Sequence, residues 1–129
     1  MPAVKRFFVS DPNSLREVRS FIRERAGEAA LYREDVDDLI LAVSEICANA
    51  VQHAEGERFV VSWNSSPREA TEVKIRDEGV FGAQGVGHWR GPRGYGLPLV
   101  AALVDEVSIA RGTPTSPGTT VRLIKHRDN

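Results

Sequence analysis

Apolar residues recur at Val36, Leu39, Ile40, Val43, Ile46, Ala50 and Val51, a spacing that predicts an amphipathic helix. The helix begins at Glu34-Asp35, where acidic side chains suit the positive end of the macrodipole. It runs to about His53-Ala54 and stops near Gly56. Leu15, Val18, Ile22, Ala26 and Ala29 carry the same period and predict an earlier helix over residues 12–30, with Asp11-Pro12 as N-cap and first-turn proline. Ahead of it, Val4 to Val9 is short and β-rich, and reads as an edge strand.

After Gly56 the period changes to two. Phe59, Val61 and Trp63 alternate with Val60 and Ser62, and Ser65-Ser66-Pro67 makes a turn. Thr71, Val73, Ile75 and Asp77 alternate in the next strand, so the pair reads as a hairpin. Glycines at 79, 82, 85, 87, 91, 94 and 96, with Pro92, predict a loop over residues 79–96. Leu97 to Val104 reads as a short apolar helix with Pro98 in its first turn, and Glu106 to Arg111 as a strand. Gly112 to Gly118 reads as a turn and Thr119 to Lys125 as a closing strand. The order is β-α-α-β-β-loop-α-β-β. It predicts an α/β fold of the α+β two-layer kind: a mixed, mainly antiparallel sheet with helices on one face. No internal repeat is visible, and 129 residues is a common size for one domain, so residues 1–129 read as a single domain.

Composition narrows the function classes. Apolar content of 41% and charged content of 27% are ordinary for a globular protein. A net charge of −1 argues against a dedicated nucleic-acid binder or a polybasic membrane protein, without excluding a local basic patch. The first twenty residues carry charges throughout and no apolar run approaches a membrane span, so the expected location is the cytoplasm. The one cysteine, Cys47, has no internal partner and reads as a small packed side chain. His53, His88 and His126 are not spaced as a zinc site.

Candidate chemistry lies in four places. Glu45, Asn49 and His53 fall four residues apart on the second helix, drifting about 40° per step, so they share one stripe. Asp77-Glu78-Gly79 ends a strand, and Asp77 has the parity of Val73 and Ile75, so it points toward the helix layer. Gly94-Tyr95-Gly96-Leu97 opens a helix, where free N–H groups suit a phosphate. Gly118-Thr119 opens the last strand. Each part alone has an ordinary structural reading: a polar face, a turn, a loop, a strand edge.

Glu-x-x-x-Asn, then Asp-x-Gly, then Gly-x-Gly-Leu, then Gly-Thr, in this order and on these elements, resembles the GHKL ATP-binding superfamily. Within it, the chain is similar to the anti-sigma factor serine/threonine-protein kinases of bacterial stress and sporulation switches. Residues 36–123 carry the resemblance. There is no Walker A sequence. The resemblance implies ATP and Mg²⁺ as cofactors. It implies that Asn49 holds Mg²⁺ through its carbonyl oxygen and that Glu45 is the general base toward a serine hydroxyl. Asp77 would accept a hydrogen bond from the adenine amino group, and Gly79 would let the base lie against backbone. Gly94, Gly96 and the Leu97 amide would cradle phosphates, and Thr119 would support the adenine end. Arg93, and Arg90 beside it, would neutralise phosphate charge or remain solvated. Phe81 departs from the superfamily's second glycine, the segment from Val80 to Arg93 is short for a lid, and Trp89 reads as a loop anchor.

The function implied is an ATP-binding anti-sigma factor that sequesters a sigma factor and phosphorylates a STAS-domain anti-anti-sigma factor. Homodimerisation is typical of such proteins, with Val4–Val9 or the first helix as a surface; neither nucleic acid nor membrane is an expected direct partner. The alternative is a non-catalytic nucleotide-binding interaction module of the same fold, against which Glu45 argues. A two-component histidine kinase would need a phospho-acceptor histidine on an upstream dimerising helix, and residues 1–44 contain no His. A gyrase-like ATPase would need a following transducer domain. A plain structural α/β domain is the remaining reading.

Overall fold

A computed structural model of the chain describes residues 3–53, 58–66, 69–77, 97–113 and 115–126. The elements are β1 (Val4–Val9), α1 (Ser14–Glu28), α2 (Arg33–His53), β2 (Arg58–Ser65), β3 (Ala70–Asp77), α3 (Leu97–Leu103), β4 (Glu106–Thr113) and β5 (Ser116–His126). Their order is the one the hydrophobic pattern predicts. The strands form one sheet in the order β1-β2-β3-β5-β4, and all four pairings are antiparallel. The described sheet therefore lacks the parallel element that a mixed sheet would carry, and the α+β class stands.

Boundaries differ from the sequence reading at both ends of α1 and across the β4–β5 turn, where β4 runs on to Thr113. Helix α1 starts at Ser14, not at residue 12. Asp11 Oδ1 accepts from the Asn13 amide at 2.8 Å and the Asp11 carbonyl accepts from the Ser14 amide at 2.9 Å, so Asp11-Pro12 forms the turn before the helix. Strand β5 begins at Ser116, ahead of Thr119. Within the described residues, pairing with β3 reaches Asp77↔Thr119, and Ser116 pairs with Thr113 of β4 across an irregularity in the register.

The inner face of the sheet packs against the helices. Phe59, Val61 and Trp63 of β2, Val73 and Ile75 of β3, and Val121 and Leu123 of β5 are buried. They meet Val18, Ile22 and Ala26 of α1 and Leu39, Val43 and Ile46 of α2, residues that recur every three or four positions. Each such aliphatic burial contributes about 1.5–3 kcal/mol. Helix α2 packs against α1 and α3 and lies over β3. Phe8 ties the edge strand in, stacked on Phe59 at 5.6 Å and edge-on to Phe21 at 6.1 Å. Cys47 is fully buried, and burial pushes its thiol well above the ordinary range. It stays a neutral packing group, as its helical position suggests.

Helix α1 ends in a Schellman motif: the Leu31 amide donates to the Ala26 carbonyl at 3.2 Å and the Ala30 amide to the Gly27 carbonyl at 3.1 Å. The left-handed position is held by Ala30 at φ 56°, where glycine would be at ease. Among the described residues, no helix is long and apolar enough to cross a membrane.

Candidate functional site

Among the described residues, the pairing of β3 with β5 reaches Asp77↔Thr119. Alternation sends both side chains toward the helices, as the parity of Asp77 predicts. Asp77 is 6% exposed, Thr119 5%, and Asn49 of α2 6%, as buried as much of the hydrophobic core. Asn49 reaches this end because it follows Ile46 by three residues on α2, so one helix face supplies both.

These three residues line one cleft together with Ile46, Ala50, Ile75 and Val121. Its open space, counted together with the solvent at its mouth, is about 310 Å³. Ile46 and Ala50 on the helix face Ile75 and Val121 on the sheet, giving an apolar slot between two layers. Asp77 supplies a carboxyl acceptor at its edge, and Thr119 supplies a hydroxyl. The Thr119 Oγ1 is buried and has no hydrogen-bond partner among the described residues. An unmet buried hydroxyl costs about 1–3 kcal/mol; the Ser10 and Ser44 hydroxyls share that state, and of the three Thr119 is the one that lines the cleft.

Gly118 shapes this end. Its φ is +124°, and a Cβ there would come 2.6 Å from the Asp77 carbonyl oxygen. Only glycine lets β5 approach β3 so closely.

The structure thus brings Asn49, Asp77 and Thr119 together. Glu45 is half-buried one turn earlier on α2 and does not line the cleft. Leu97 opens α3, as expected. Gly79, Arg93, Gly94 and Gly96 lie outside the described residues, as do Phe81, His88, Trp89 and Arg90. His53 is the last residue of α2. The walls Ile46, Ala50, Ile75 and Val121 were not singled out as site residues from sequence. Their signal was present, since Ile75 and Val121 share the parity of Asp77 and Thr119, and Ala50 adjoins Asn49. Among the described residues no three of His, Cys, Asp and Glu gather as a metal cluster.

Residues 8–125 match the model of the histidine kinase-like ATPase domain family. The chain belongs to that family. As a histidine kinase-like ATPase domain it carries the family's association with ATP. It is 29% identical over 133 aligned positions to the serine-protein kinase RsbW of Bacillus velezensis, covering 91% of this chain and 81% of that protein. It is also similar to the crystal structure of the RsbU and RsbW domains of Rv1364c from Mycobacterium tuberculosis, with a TM-score of 0.76 and 26% identity. That match covers 100% of this chain and 34% of the solved one, so this ATPase domain spans about a third of that larger chain. The five-stranded antiparallel sheet with its helices is the architecture the two share.

Proposed function

We propose that the chain is one ATP-binding domain that acts as a protein serine/threonine kinase and anti-sigma factor in the cytoplasm. It would hold a sigma factor inactive and phosphorylate a serine of a STAS-domain anti-anti-sigma factor, working as a homodimer and touching neither nucleic acid nor membrane directly. The observation that carries the nucleotide reading is the buried, unmet Thr119 hydroxyl beside Asp77 in an apolar slot. Similarity to a serine-protein kinase supports the reaction class.

In this reading Asp77 accepts from the exocyclic amine of adenine and Thr119 fills its hydrogen-bonding capacity at the same edge. A bond to a charged acceptor contributes roughly 1.5–3 kcal/mol, enough to select adenine over guanine. Asn49 offers one carbonyl oxygen to Mg²⁺, which keeps several waters and needs few protein oxygens. Gly79, Gly94, Gly96, the Leu97 amide and Arg93 are assigned to the base and the phosphates. Bound ATP supplies the transferable phosphoryl group. Glu45 takes the proton of the serine hydroxyl whose oxygen receives it.

Transfer of labelled phosphate from ATP to a STAS-domain antagonist protein tests the kinase reading. The wild type transfers label to serine, and Glu45→Ala binds ATP with unchanged affinity but transfers at most about a hundredth as fast, the scale of a lost general base. Transfer undiminished in Glu45→Ala would remove Glu45 from the chemistry. Glu45 lies outside the cleft lining, which favours a second reading: a nucleotide-binding interaction module without transfer. Tight ATP binding with no transfer by the wild type would select it.

A further inference from the structure

The Asp77–Thr119 edge depends on a backbone contact that neither side chain makes. Gly118 precedes Thr119 and sits at φ +124°, a conformation that L side chains rarely adopt. A Cβ at this position would stand 2.6 Å from the Asp77 carbonyl oxygen. It would also stand 3.3 Å from the Arg76 Nη2 and 3.5 Å from the Arg76 Cζ. The arginine contacts are soft, because a guanidinium on a long side chain can swing away. The carbonyl contact is hard, because it belongs to the strand that carries Asp77. Ordinary van der Waals contact begins near 3.4 Å, so an added methyl must push the Asp77 peptide away by roughly 1 Å or twist β5. Hydrogen bonds tolerate a few tenths of an ångström. A displacement of that size at the last residue of β3 moves the carboxylate and the Thr119 hydroxyl out of register with each other.

We propose that Gly118 is a positioning residue for base recognition: its bare α-carbon lets the Asp77 peptide close onto β5, setting the carboxylate and the Thr119 hydroxyl side by side. The inference rests on the reading of the cleft as an adenine site, and assigns to Gly118 the discrimination that Asp77 delivers. Gly118 touches no ligand in this account. Its effect runs through the backbone of β3 at Asp77, two residues beyond the Ile75–Val121 pair of the core. Substitution therefore changes recognition more than folding.

The test compares the full-length wild type with Gly118→Ala and with Arg76→Ala/Gly118→Ala. Calorimetry measures ATP and GTP affinity, thermal melting measures the fold, and backbone amide NMR reads the Asp77 and Thr119 positions. In Gly118→Ala, the expected results are a retained cooperative melt, shifted Asp77 and Thr119 amides, and ATP affinity at least tenfold weaker. The preference for ATP over GTP collapses with it, which a merely structural role would not produce selectively. The double variant is expected to behave like Gly118→Ala, since removing the guanidinium leaves the carbonyl clash in place. Restored affinity in the double variant would trace the effect to crowding by Arg76 and overturn the proposal. Wild-type affinity and preference in Gly118→Ala would overturn it, and so would loss of the folded state, which would make Gly118 a determinant of folding. Absence of ATP binding by the wild type would defeat the adenine reading itself. The amide shifts would then still report whether Gly118 sets the strand end, and unshifted Asp77 and Thr119 amides would overturn that as well.

Discussion

Thr71 and Thr119 lie toward opposite ends of the same inner sheet face, 1% and 5% exposed, and their hydroxyls meet different fates. The Thr71 Oγ1 shares a 3.0 Å hydrogen bond with the Ser65 Oγ, its register partner on β2. Beside it, Lys125 donates to the Leu103 carbonyl at 2.9 Å and reaches Asp38 at 3.3 Å and Asp35 at 3.8 Å. That lysine closes the C-terminal end of α3 and binds the first turns of α2 to the last strand. At the other end, Thr119 keeps its hydroxyl unmet, and the layers part into the cleft. Burial alone does not separate a structural polar group from a binding one. Satisfaction together with place does: the Thr71 hydroxyl is met by the protein, and the Thr119 hydroxyl, unmet like those of Ser10 and Ser44, is the one that lines a cleft.

Breaking the closed end has the largest expected effect. Lys125→Met removes the carbonyl donor and leaves Asp35, whose side chain is 14% exposed, without its cation. Urea denaturation should show a loss of about 2–3 kcal/mol, a little below the cost of breaking a fully buried pair because Asp38 is partly solvated. Nucleotide affinity well below the melting temperature should not change. A matched pair of substitutions sharpens the contrast. Thr71→Val strands the Ser65 hydroxyl and should cost about 1–2 kcal/mol of stability at unchanged ATP affinity. Thr119→Val removes an unmet hydroxyl, so stability should hold or rise by up to about 1 kcal/mol, while ATP affinity falls about fivefold. Equal stability losses in the two valine variants would erase the distinction between the ends. The smallest effect belongs to a site remote from both. Ala30→Gly relieves the left-handed residue of the Schellman motif and should add about 0.5–1 kcal/mol in the same denaturation, with no change in binding.

Much of this was legible beforehand, and the parts that were not share a cause. Element order followed from periods of 3.6 and two, because each element buries one face. The antiparallel neighbourhood of β3 and β5 did not, since α3 and β4 intervene in the chain and nothing local specifies that pairing. The start of α1 moved because Asp11 forms a turn through its own side chain and carbonyl, and β4 and β5 run further toward each other because their pairing continues to Thr113↔Ser116. Asn49, Asp77 and Thr119 were readable as motif residues, and parity placed Asp77 inward. That the Thr119 hydroxyl goes unmet while that of Thr71 is met is a property of packing, invisible in either residue's neighbours along the chain. Lys125, near the end of a charged tail, read only as the last residue of a strand and proved to be an anchor between three elements.

The central claim is that the open end is an adenine site built on Asp77. Calorimetric titration of ATP, with and without Mg²⁺ and against GTP, into the wild type and Asp77→Asn tests it most directly. The account predicts magnesium-dependent binding that prefers ATP, weakened at least about tenfold in Asp77→Asn, as loss of a bond to a charged acceptor requires. No binding at millimolar ATP, or equal affinity in the two proteins, would contradict it.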